Sequence, residues 1–494
     1  MKGLKAGEGW SLGTFAVENF GCRAARADGE AAAAELRVRG LTECGLDQAA
    51  VIVVNTCSVT AEADREARAF VRRVRRRNPE ARVVMTGCYA QRAPEEVAAL
   101  EGVLAVVGNS HKGLLPEIVE RLARDRKAMR AAAGADGNVA TGDALIPAAR
   151  LMSTSAVWAD DAFAHAWMES AGVAHWSAVG GQTRPNLKIQ EGCGNRCSFC
   201  VIPWTRGGSR SMAANRVLDE VRGFVAAGGR ELVLSGINLG HWGRELKEDA
   251  AARMGGLAWL VRRVLDETSL ERVRLSSIEP MDWTPELIAV MAEHGGTTQG
   301  ARVARHAHLP LQSGSDGVLR RMHRRYRPWH YAAKVQALMA ACGDELALGA
   351  DVMVGFPGET DAEFEESLRF VESLPFAYLH VFPFSARPGT EGWRMHADQP
   401  VASAAVKERM VRMRAAGASK AQEFHLRMHG RRLCALTLHT PEHMRAKGRT
   451  LTLTENFLEL EVSGALAANE RIVVVVGDAE LVEMEAVAQP ATIT

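Results

Sequence analysis

The sequence predicts an α/β protein with an N-terminal doubly wound parallel-sheet domain, a central partial (βα)6 barrel and a small C-terminal β-barrel-like domain. Three observations support this fold class. Strand-like and helix-like runs alternate over residues 1–115 and again over residues 186–425, which predicts parallel sheets covered by helices. Residues 431–494 contain short β-rich runs instead. We place the domains at residues 12–128, 183–428 and 429–494, with a linker or insertion at 129–182.

The N-terminal domain is predicted from three apolar runs that each precede a cysteine. Residues 16–20, 51–55 and 82–86 are predicted as strands, and Cys22, Cys57 and Cys88 follow them. The segment Ala61–Arg77 is rich in Ala, Glu and Arg, which favours a helix. Ligands of doubly wound sheets bind beyond the carboxyl ends of the strands. We therefore expect the three cysteines to lie at one edge of this sheet.

The central barrel is predicted from six candidate strands, at residues 187–190, 231–235, 272–276, 307–311, 348–354 and 378–384. Helical stretches such as 214–227 and 361–374 separate them. Six successive βα units indicate an incomplete eight-fold barrel, in which the chemistry lies at the carboxyl ends of the strands. The last runs, at 433–438, 450–454, 458–462 and 472–476, suit a small β-barrel of the oligonucleotide-binding kind.

Composition limits the class of protein. The chain has 494 residues, an apolar fraction of 47% and a net charge of +1, which is typical of a globular protein and shows no overall bias toward nucleic acid. We see no apolar run of the roughly 18 residues that a membrane span needs, and no secretory signal in residues 1–20. We therefore expect a cytoplasmic protein without membrane contact, in which grouped cysteines hold metal or do chemistry.

One cysteine group is compact. Cys193, Cys197 and Cys200 form a C-x3-C-x2-C loop after the first predicted barrel strand. Three thiolates can bind three corners of a [4Fe–4S] cluster and leave one iron open, whereas four would complete an electron-transfer cluster. S-adenosylmethionine can fill the open position, and its reductive cleavage gives a 5′-deoxyadenosyl radical. A zinc site would need a fourth Cys or His. We predict these three cysteines as ligands of a catalytic cluster.

The dispersed cysteines Cys22, Cys57 and Cys88 allow two interpretations. Buried cysteines often act as small apolar residues. Each of these three ends a strand-like run and follows a Gly or Thr, however, and a second open cluster would need the same count of three. We favour a second cluster. The remaining thiols, Cys44, Cys342 and Cys434, follow no such pattern and are predicted as core or surface residues.

Several motifs resemble those of the radical S-adenosylmethionine (SAM) methylthiotransferase family. They are GCGNRCSFCVIP at 192–203, NTCSVT at 55–60, GCYAQ at 87–91, HLPLQSGS at 308–315, GFPGET at 355–360 and FSARPGT at 384–390. The resemblance implies two [4Fe–4S] clusters, with the auxiliary one on Cys22, Cys57 and Cys88, and S-adenosylmethionine as cosubstrate. In the family, one S-adenosylmethionine methylates a sulfur at the auxiliary cluster. A second gives the radical that removes hydrogen from the target carbon, which then takes the methylthio group.

The resemblance also implies a substrate. Family members act on isopentenyladenosine in tRNA, on a ribosomal-protein aspartate, or on N6-threonylcarbamoyladenosine next to the anticodon. Thr60 with AEA at 61–63, LSSI at 275–278 and HVFPFS at 380–385 are similar to the threonylcarbamoyladenosine branch. We therefore expect the 2-methylthio derivative of that nucleoside as product and keep the other two substrates as alternatives. An iron–sulfur electron-transfer protein and a tRNA-binding protein without chemistry are alternatives of other classes.

Polar residues near the predicted strand ends are candidates for S-adenosylmethionine binding: Ser235, Asn238, Glu279, Gln312 and Asp351. The alternative for each of them is a purely structural role, as a polar residue whose hydrogen bonds are made within the protein. The run Gly355-Phe356-Pro357-Gly358 is predicted as a tight strand-to-helix turn, because it lacks the Lys-Ser/Thr ending of a phosphate loop. After Cys22 the family usually shows Lys and then Asn, where this chain has RAAR at 23–26.

The expected partners are tRNA, through its anticodon loop, and an electron donor such as flavodoxin or ferredoxin, with the chain acting as a monomer. The terminal domain resembles the family's RNA-binding TRAM appendage, but its six Lys/Arg against nine Asp/Glu do not suit phosphate binding. Two arginine groups could bind phosphates or could be solvated faces paired to local acids. They are Arg65, Arg68, Arg72, Arg73, Arg75, Arg76 and Arg77, and Arg320, Arg321, Arg324, Arg325 and Arg327.

Overall fold

The computed structural model describes residues 13–124, 156–160, 173, 182–296, 300–477, 481–482 and 484–485. The chain divides into two compact units, an N-terminal unit of Met1–Ala171 with Val201–Gly208 and a barrel unit of Gly172–Cys200 with Ser209–Thr494. Most of the segment predicted as a linker, including Trp167 and Trp176, lies outside the described residues. Among the helices of the described chain, none combines the length and hydropathy that crossing a bilayer requires.

The N-terminal unit is a six-stranded parallel sheet with helices on both faces. Its strands are β1 (Thr14–Asn19), β2 (Thr42–Glu43), β3 (Val51–Thr56), β4 (Arg82–Gly87), β5 (Val103–Gly108) and β6 (Ala156–Trp158), in the spatial order β2-β1-β3-β4-β5-β6. Its helices are α1 (Arg23–Val38), α2 (Ala61–Arg77), α3 (Cys88–Arg92), α4 (Pro94–Ala98), α5 (Leu115–Arg124) and α6 (Ile202–Arg206). The predicted doubly wound fold is confirmed.

Alternate residues of the central strands pack on opposite faces of this sheet. Ile52 and Val54 share one core with Phe70 of α2, while Val51 and Val53 belong to the core on the other face. All four valine and isoleucine side chains are buried, as in a central strand of a parallel sheet. The alternation therefore gives the sheet a helix-covered core on each of its two faces.

The barrel unit contains the six predicted strands in one parallel series, with a short hairpin strand after the first. They are β7 (Asn186–Glu191), β8 (Arg210–Ser211), β9 (Glu231–Gly236), β10 (Arg272–Leu275), β11 (His306–His308), β12 (Ala347–Val354) and β13 (Phe376–Pro383). A parallel bridge between Val273 and Val303 joins β10 to the segment that leads into β11. Helices α7 (Ala214–Ala226), α8 (Ala250–Glu267), α9 (Pro285–His294), α10 (Asp316–Arg321), α11 (Pro328–Cys342), α12 (Asp361–Ser373), α13 (Glu391–Asp398) and α14 (Ser403–Met428) follow the strands. The partial barrel is confirmed.

A second sheet closes the barrel unit. Its strands are β14 (Arg432–Thr437), β15 (Arg449–Thr454), β16 (Glu459–Ser463), β17 (Arg471–Val475), β18 (Leu481–Val482) and β19 (Met484–Glu485), with helix α15 (Glu442–Arg445) after β14. The order is β18-β16-β15-β14-β17-β19, and all pairs but β16–β18 are antiparallel. Leu433 and Leu460 share a core with Phe424 of α14 and Ala347 of β12. The predicted C-terminal β domain therefore packs on the barrel.

A buried ion network lies inside the barrel unit. Glu231 Oε1 accepts from Arg274 Nε at 2.8 Å, and Glu231 Oε2 accepts from Arg272 Nη1 at 3.1 Å. Arg272 Nη2 also reaches Glu455 Oε2, after β15, at 3.4 Å. Burial alone would raise the pKa of Glu231, but the charges of Arg274 and Arg272 outweigh it and lower that pKa to about 2. The network holds β9, β10 and the terminal sheet in one structure.

Candidate functional site

Three loops at one edge of the N-terminal sheet carry the dispersed cysteines. The strand order places β1 beside both β2 and β3, which makes the gap between β1 and β3 the topological switch point. Cys22 follows β1, Cys57 follows β3, and Cys88 begins α3 directly after β4. Cys22 is exposed, whereas Cys57 and Cys88 are buried. The three sequence-predicted residues thus meet where doubly wound sheets bind their ligands.

Two of these thiols are in direct contact. The hydrogen bond that Cys57 donates lowers the pKa of Cys22 to about 6, helped by the positive charge of Arg206 and opposed by desolvation of the sulfur. The same hydrogen bond, together with burial, raises the pKa of Cys57 well above its usual range. At neutral pH the pair therefore consists of a Cys22 thiolate and a Cys57 thiol. A thiolate is the form of cysteine that binds metal.

Glycine is required next to this pair. Gly21 has φ +100°, and a Cβ there would lie 2.0 Å from Cys57 Cβ and 2.7 Å from Cys57 Sγ. Gly87, before Cys88, has φ +95°, and a Cβ there would lie 2.2 Å from the Thr56 carbonyl oxygen. Both positions need the left-handed backbone that glycine alone adopts without strain. The Gly-Cys pairs of the sequence therefore allow the cysteine loops to approach one another.

A buried basic group lies beside the same thiols. Arg206 Nε donates to Cys88 Sγ at 3.2 Å, and Arg206 Nη1 contacts Asp28 Oδ2 at 3.0 Å. Lys112 Nζ lies 2.7 Å from the same Asp28 oxygen. Asn109 Nδ2 donates to Cys88 Sγ at 3.6 Å. Two cations face one carboxylate, so the surplus positive charge suits anionic sulfur ligands, because buried charges need a counter-charge.

The C-x3-C-x2-C loop follows β7 in the barrel unit, and its three cysteines are partly buried. Ser198 anchors the loop, since its Oγ donates to the Arg321 carbonyl at 2.8 Å and its own carbonyl accepts from Gly392 N at 2.7 Å. The Cys200 N–H donates to the Cys197 carbonyl at 3.1 Å. The loop is therefore held from two sides, at the carboxyl end of the first barrel strand.

Hydrogen-bond donors also contact two of these sulfur atoms, those of Cys193 and Cys197. Cys193 Sγ accepts from Asn195 N at 3.4 Å and from Asn238 Nδ2 at 3.7 Å. Burial nevertheless raises the pKa of Cys193. Cys197 Sγ accepts from Arg324 Nη1 at 3.3 Å, and Arg324 Nη2 donates to Glu279 Oε2 at 2.5 Å. Donors and a cation at the sulfur atoms fit a cluster bound by thiolates, whose potential such contacts tune.

The five predicted S-adenosylmethionine contacts have different environments. Asn238 and Glu279 lie at the cysteine loop, through Cys193 and through Arg324. Ser235 Oγ donates to a backbone carbonyl of β7, which is a structural role. The side-chain oxygens of Asn238 and Gln312 are buried and have no hydrogen-bond partner among the described residues. Asp351 lies beside His308 and His380. The two unpartnered oxygens fit a polar ligand.

Sequence reasoning missed the groups that support the cysteines. Arg206, Lys112 and Asp28 carry no local motif. The second arginine group was predicted either to bind phosphates or to form a solvated face, and both alternatives are wrong for Arg324, because it is buried against Cys197. The other members of its group, except Arg325, pair with nearby acids: Arg320 and Arg327 with Asp316, and Arg321 with Glu363. Three of the five arginines in the second group therefore form ion pairs with nearby carboxylates.

Comparisons with known proteins agree with this geometry. Residues 14–108 match the family described as Uncharacterized protein family UPF0004, and residues 187–371 match the Radical SAM superfamily. The fold, the two cysteine sites and these matches define a radical SAM iron–sulfur protein.

Three curated relatives narrow the family. The threonylcarbamoyladenosine tRNA methylthiotransferase MtaB of Bacillus subtilis is 35% identical over 385 residues, which cover 78% of this chain and 76% of that protein. The Aquifex aeolicus protein of the same name is 30% identical over 452 residues, or 91% and 96% of the two chains. The tRNA-2-methylthio-N(6)-dimethylallyladenosine synthase of Novosphingobium aromaticivorans is 34% identical over 406 residues, or 82% of each chain. This chain belongs to the radical SAM methylthiotransferase family, and its cofactors are two [4Fe–4S] clusters and S-adenosylmethionine.

Proposed function

We propose that this chain methylthiolates N6-threonylcarbamoyladenosine next to the anticodon of tRNA, by radical S-adenosylmethionine chemistry. The observation that carries the proposal is the pair of three-cysteine sites, each with a buried arginine at a sulfur atom, in a chain of this family. The relatives from Bacillus subtilis and Aquifex aeolicus are named for this substrate, and the matches cover 76% and 96% of their lengths. The match therefore extends over most of an enzyme with this activity.

In this proposal Cys193, Cys197 and Cys200 bind the catalytic cluster, which supplies an electron and an open iron position to S-adenosylmethionine. Arg324 donates to Cys197 and balances negative charge there. Glu279 orients Arg324 through their hydrogen bond. Asn238 donates to Cys193, and its unpartnered oxygen is available to accept from a bound amino group.

Cys22, Cys57 and Cys88 bind the auxiliary cluster in the same proposal. Arg206 holds the Cys88 sulfur by a hydrogen bond and stabilises the Cys22 thiolate by its charge. Asp28 keeps Arg206 in place, as their contact at 3.0 Å is buried on both sides. Arg206 thus favours the Cys22 thiolate, which is the form that binds metal. Gly21 leaves the space that the Cys57 side chain occupies.

The macromolecular partner is tRNA, and we propose that the N-terminal helix α2 takes part in binding it. Arg72 and Arg76 are exposed on one face of α2, and neither has an ion-pair partner among the described residues. Arg65 and Arg77 are exposed on the same helix but pair with Glu62 and Asp47. Unpaired exposed arginines suit phosphate contacts. A single-stranded anticodon loop can present its base outside the stack at low cost. We further propose a monomer served by a donor such as flavodoxin or ferredoxin.

Two measurements test the proposed function. After anaerobic reconstitution, the wild type should hold about eight irons per chain and the Cys22/Cys57/Cys88→Ala triple variant about four. A Cys342→Ala control should keep about eight, because that thiol belongs to neither site. A wild type that holds only about four irons would rule out the proposed auxiliary cluster.

The second measurement is nucleoside mass spectrometry of tRNA from cells that lack the gene. The 2-methylthio derivative of N6-threonylcarbamoyladenosine should be absent and its precursor should accumulate. The wild-type gene should restore the derivative, and a Cys197→Ala variant should not. A second candidate substrate, dimethylallyladenosine in tRNA, is favoured by the 34% identity to the Novosphingobium aromaticivorans relative named for it. Loss of that 2-methylthio nucleoside instead would establish this candidate.

A further inference from the structure

Three side chains on neighbouring barrel strands form a cluster apart from the cysteines. His308 ends β11, Asp351 lies in β12 and His380 lies in β13. The register pairs Asp351 with His380 and pairs His308 with Gly349. Gly349 and Asp351 are two residues apart, so they lie on the same face of their strand. One donor atom of each of the three side chains lies within 4.8 Å of the others.

The separations in this cluster are longer than those of good hydrogen bonds. Asp351 Oδ1 lies 3.4 Å from His308 Nε2 and 3.3 Å from His380 Nδ1. The usual N–H···O range is about 2.7–3.2 Å. Two metal–ligand bonds of about 2.1 Å at a tetrahedral angle place their donor atoms about 3.4 Å apart. His308 Nε2 is buried and has no hydrogen-bond partner of good geometry among the described residues.

We propose that His308 Nε2, Asp351 Oδ1 and His380 Nδ1 bind a divalent transition-metal ion, and that the ion is zinc, because the two separations from Asp351 Oδ1 match those of a tetrahedral site. Two imidazoles and a carboxylate form a donor set that binds zinc and ferrous ions. Ser277 Oγ lies 3.3 Å from His308 Nδ1 and would orient that ring, as outer partners of metal-bound histidines do. The His380 side chain is 58% exposed, so the site is open to an incoming ligand.

The ligand that completes the coordination follows from the proposed function, on which this step rests. Three protein ligands leave a position for a substrate group. The threonylcarbamoyl group carries a carboxylate and a hydroxyl, whereas a dimethylallyl group has no oxygen to offer. Without an ion, the Asp351 carboxylate would repel a substrate carboxylate. A divalent ion bound by one carboxylate and two neutral imidazoles leaves a charge of +1, which attracts it. The ion would therefore favour the threonylcarbamoyl nucleoside.

The test is zinc binding by the cluster-reconstituted protein without tRNA. Anaerobic equilibrium dialysis against a chelator-buffered zinc series, read by elemental analysis, gives zinc, iron and sulfide per chain. We expect about one zinc in the wild type, and at least tenfold weaker binding in His380→Ala and Asp351→Asn. His380 is exposed, so its removal leaves the core intact. A Ser277→Ala variant should bind about 10–100-fold more weakly.

A His443→Ala variant is the matched control, because His443 is exposed and lies on the short helix α15. It should bind zinc as the wild type does. Zinc that remains in both His380→Ala and Asp351→Asn, or a wild type that binds none, would overturn the proposal. Constant iron and sulfide contents show that zinc has not entered the cysteine sites. The zinc measurement contains no tRNA, so its result does not depend on the proposed function. If the protein binds zinc but gives no methylthio product in the tRNA measurement, the proposed function fails and the metal site stands. If the product forms but no zinc binds, the metal site fails and the proposed function stands.

Discussion

Removing the Cys57 thiol should make Cys22 a weaker acid. In the iron-free protein the hydrogen bond from Cys57 is the largest cause of the low pKa of Cys22, which is about 6. A hydrogen bond to a charged group contributes about 1.5–3 kcal/mol, and each pKa unit corresponds to about 1.4 kcal/mol. A Cys57→Ala variant should therefore raise the pKa of Cys22 by about one to two units.

The thiolate fraction follows from these values. A thiol of pKa 6 is about 90% ionised at pH 7, and a thiol of pKa 7–8 is only about 10–50% ionised. The thiolate is the reactive form of cysteine. Alkylation of Cys22 by iodoacetamide at pH 7 should therefore slow by about twofold to tenfold in the Cys57→Ala variant. The midpoint of the pH–rate profile should move upward from about 6.

The assay is peptide mass spectrometry of the chelator-treated protein after timed alkylation at a series of pH values. Cys22 is exposed, so the reagent reaches it. Cys342 is an internal reference, because burial raises its pKa to about 11 and it should stay unmodified at pH 7. A Cys342→Ala variant should leave the Cys22 profile unchanged. A Cys22 midpoint near the ordinary value of 9 in the wild type, or no shift in Cys57→Ala, would refute the reasoning.

Three other variants test the space beside Cys57, the buried charge of Glu231 and the exposed arginines of α2. Gly21→Ala should lose the auxiliary iron, because the added Cβ would lie 2.0 Å from Cys57 Cβ. The control Gly194→Ala should keep its iron, because nothing lies within 4 Å of the added Cβ, and equal iron contents in the two variants would contradict this prediction. Glu231→Gln should destabilise the barrel unit by about 3 kcal/mol, because the pKa of Glu231 is lowered from 4.5 to about 2 in the folded protein. The ionised carboxylate gives its full stabilisation above about pH 4.5, and this stabilisation is lost as the pH falls toward 2. Urea unfolding of the variant should accordingly show a weaker dependence on pH in that interval. Arg72→Glu with Arg76→Glu should weaken tRNA binding and flatten its salt dependence in filter binding, whereas an unchanged slope would exclude this face of α2.

The secondary structure could be predicted where it depends on local pattern. The helix Ala61–Arg77 and the six barrel strands follow from composition and apolar runs, and the structure places the helix and five of the strands within two residues of the prediction. The exception is β11, which was predicted to end at residue 311 and ends at His308. The edge strands β2 and β6 were not predicted. They have two and three residues, too few for a period to show, and they form because a neighbouring strand offers unpaired backbone groups. Their position depends on tertiary contact.

The site could be predicted only as far as its sulfur atoms. Cysteine spacing and strand ends identify the two triads, whereas the groups that support them come from distant segments. Arg206 is 178 residues from Asp28, and Arg324 is 127 residues from Cys197. Arginine is common on surfaces, so a run of arginines predicts exposure. Arg324 is instead buried because a carboxylate and a sulfur accept its hydrogen bonds, and no local pattern encodes both partners.

The two cysteine sites differ in the charge that lies beside them, and the difference fits the role that we propose for each. Among the described residues, Arg206 Nη1 and Lys112 Nζ both contact Asp28 Oδ2, so two cations share one carboxylate beside the thiols that we propose as ligands of the auxiliary cluster. Arg324 is neutralised by Glu279 beside the catalytic loop. Positive charge near a cluster favours its reduced form, and neutral surroundings leave its potential low. A low potential is what reductive cleavage of a sulfonium requires, whereas an auxiliary cluster that holds a sulfur ligand gains from charge that stabilises bound anions. The two proposed sites therefore have the same number of cysteines but differ in how many cations share the neighbouring carboxylate, Asp28 in one site and Glu279 in the other.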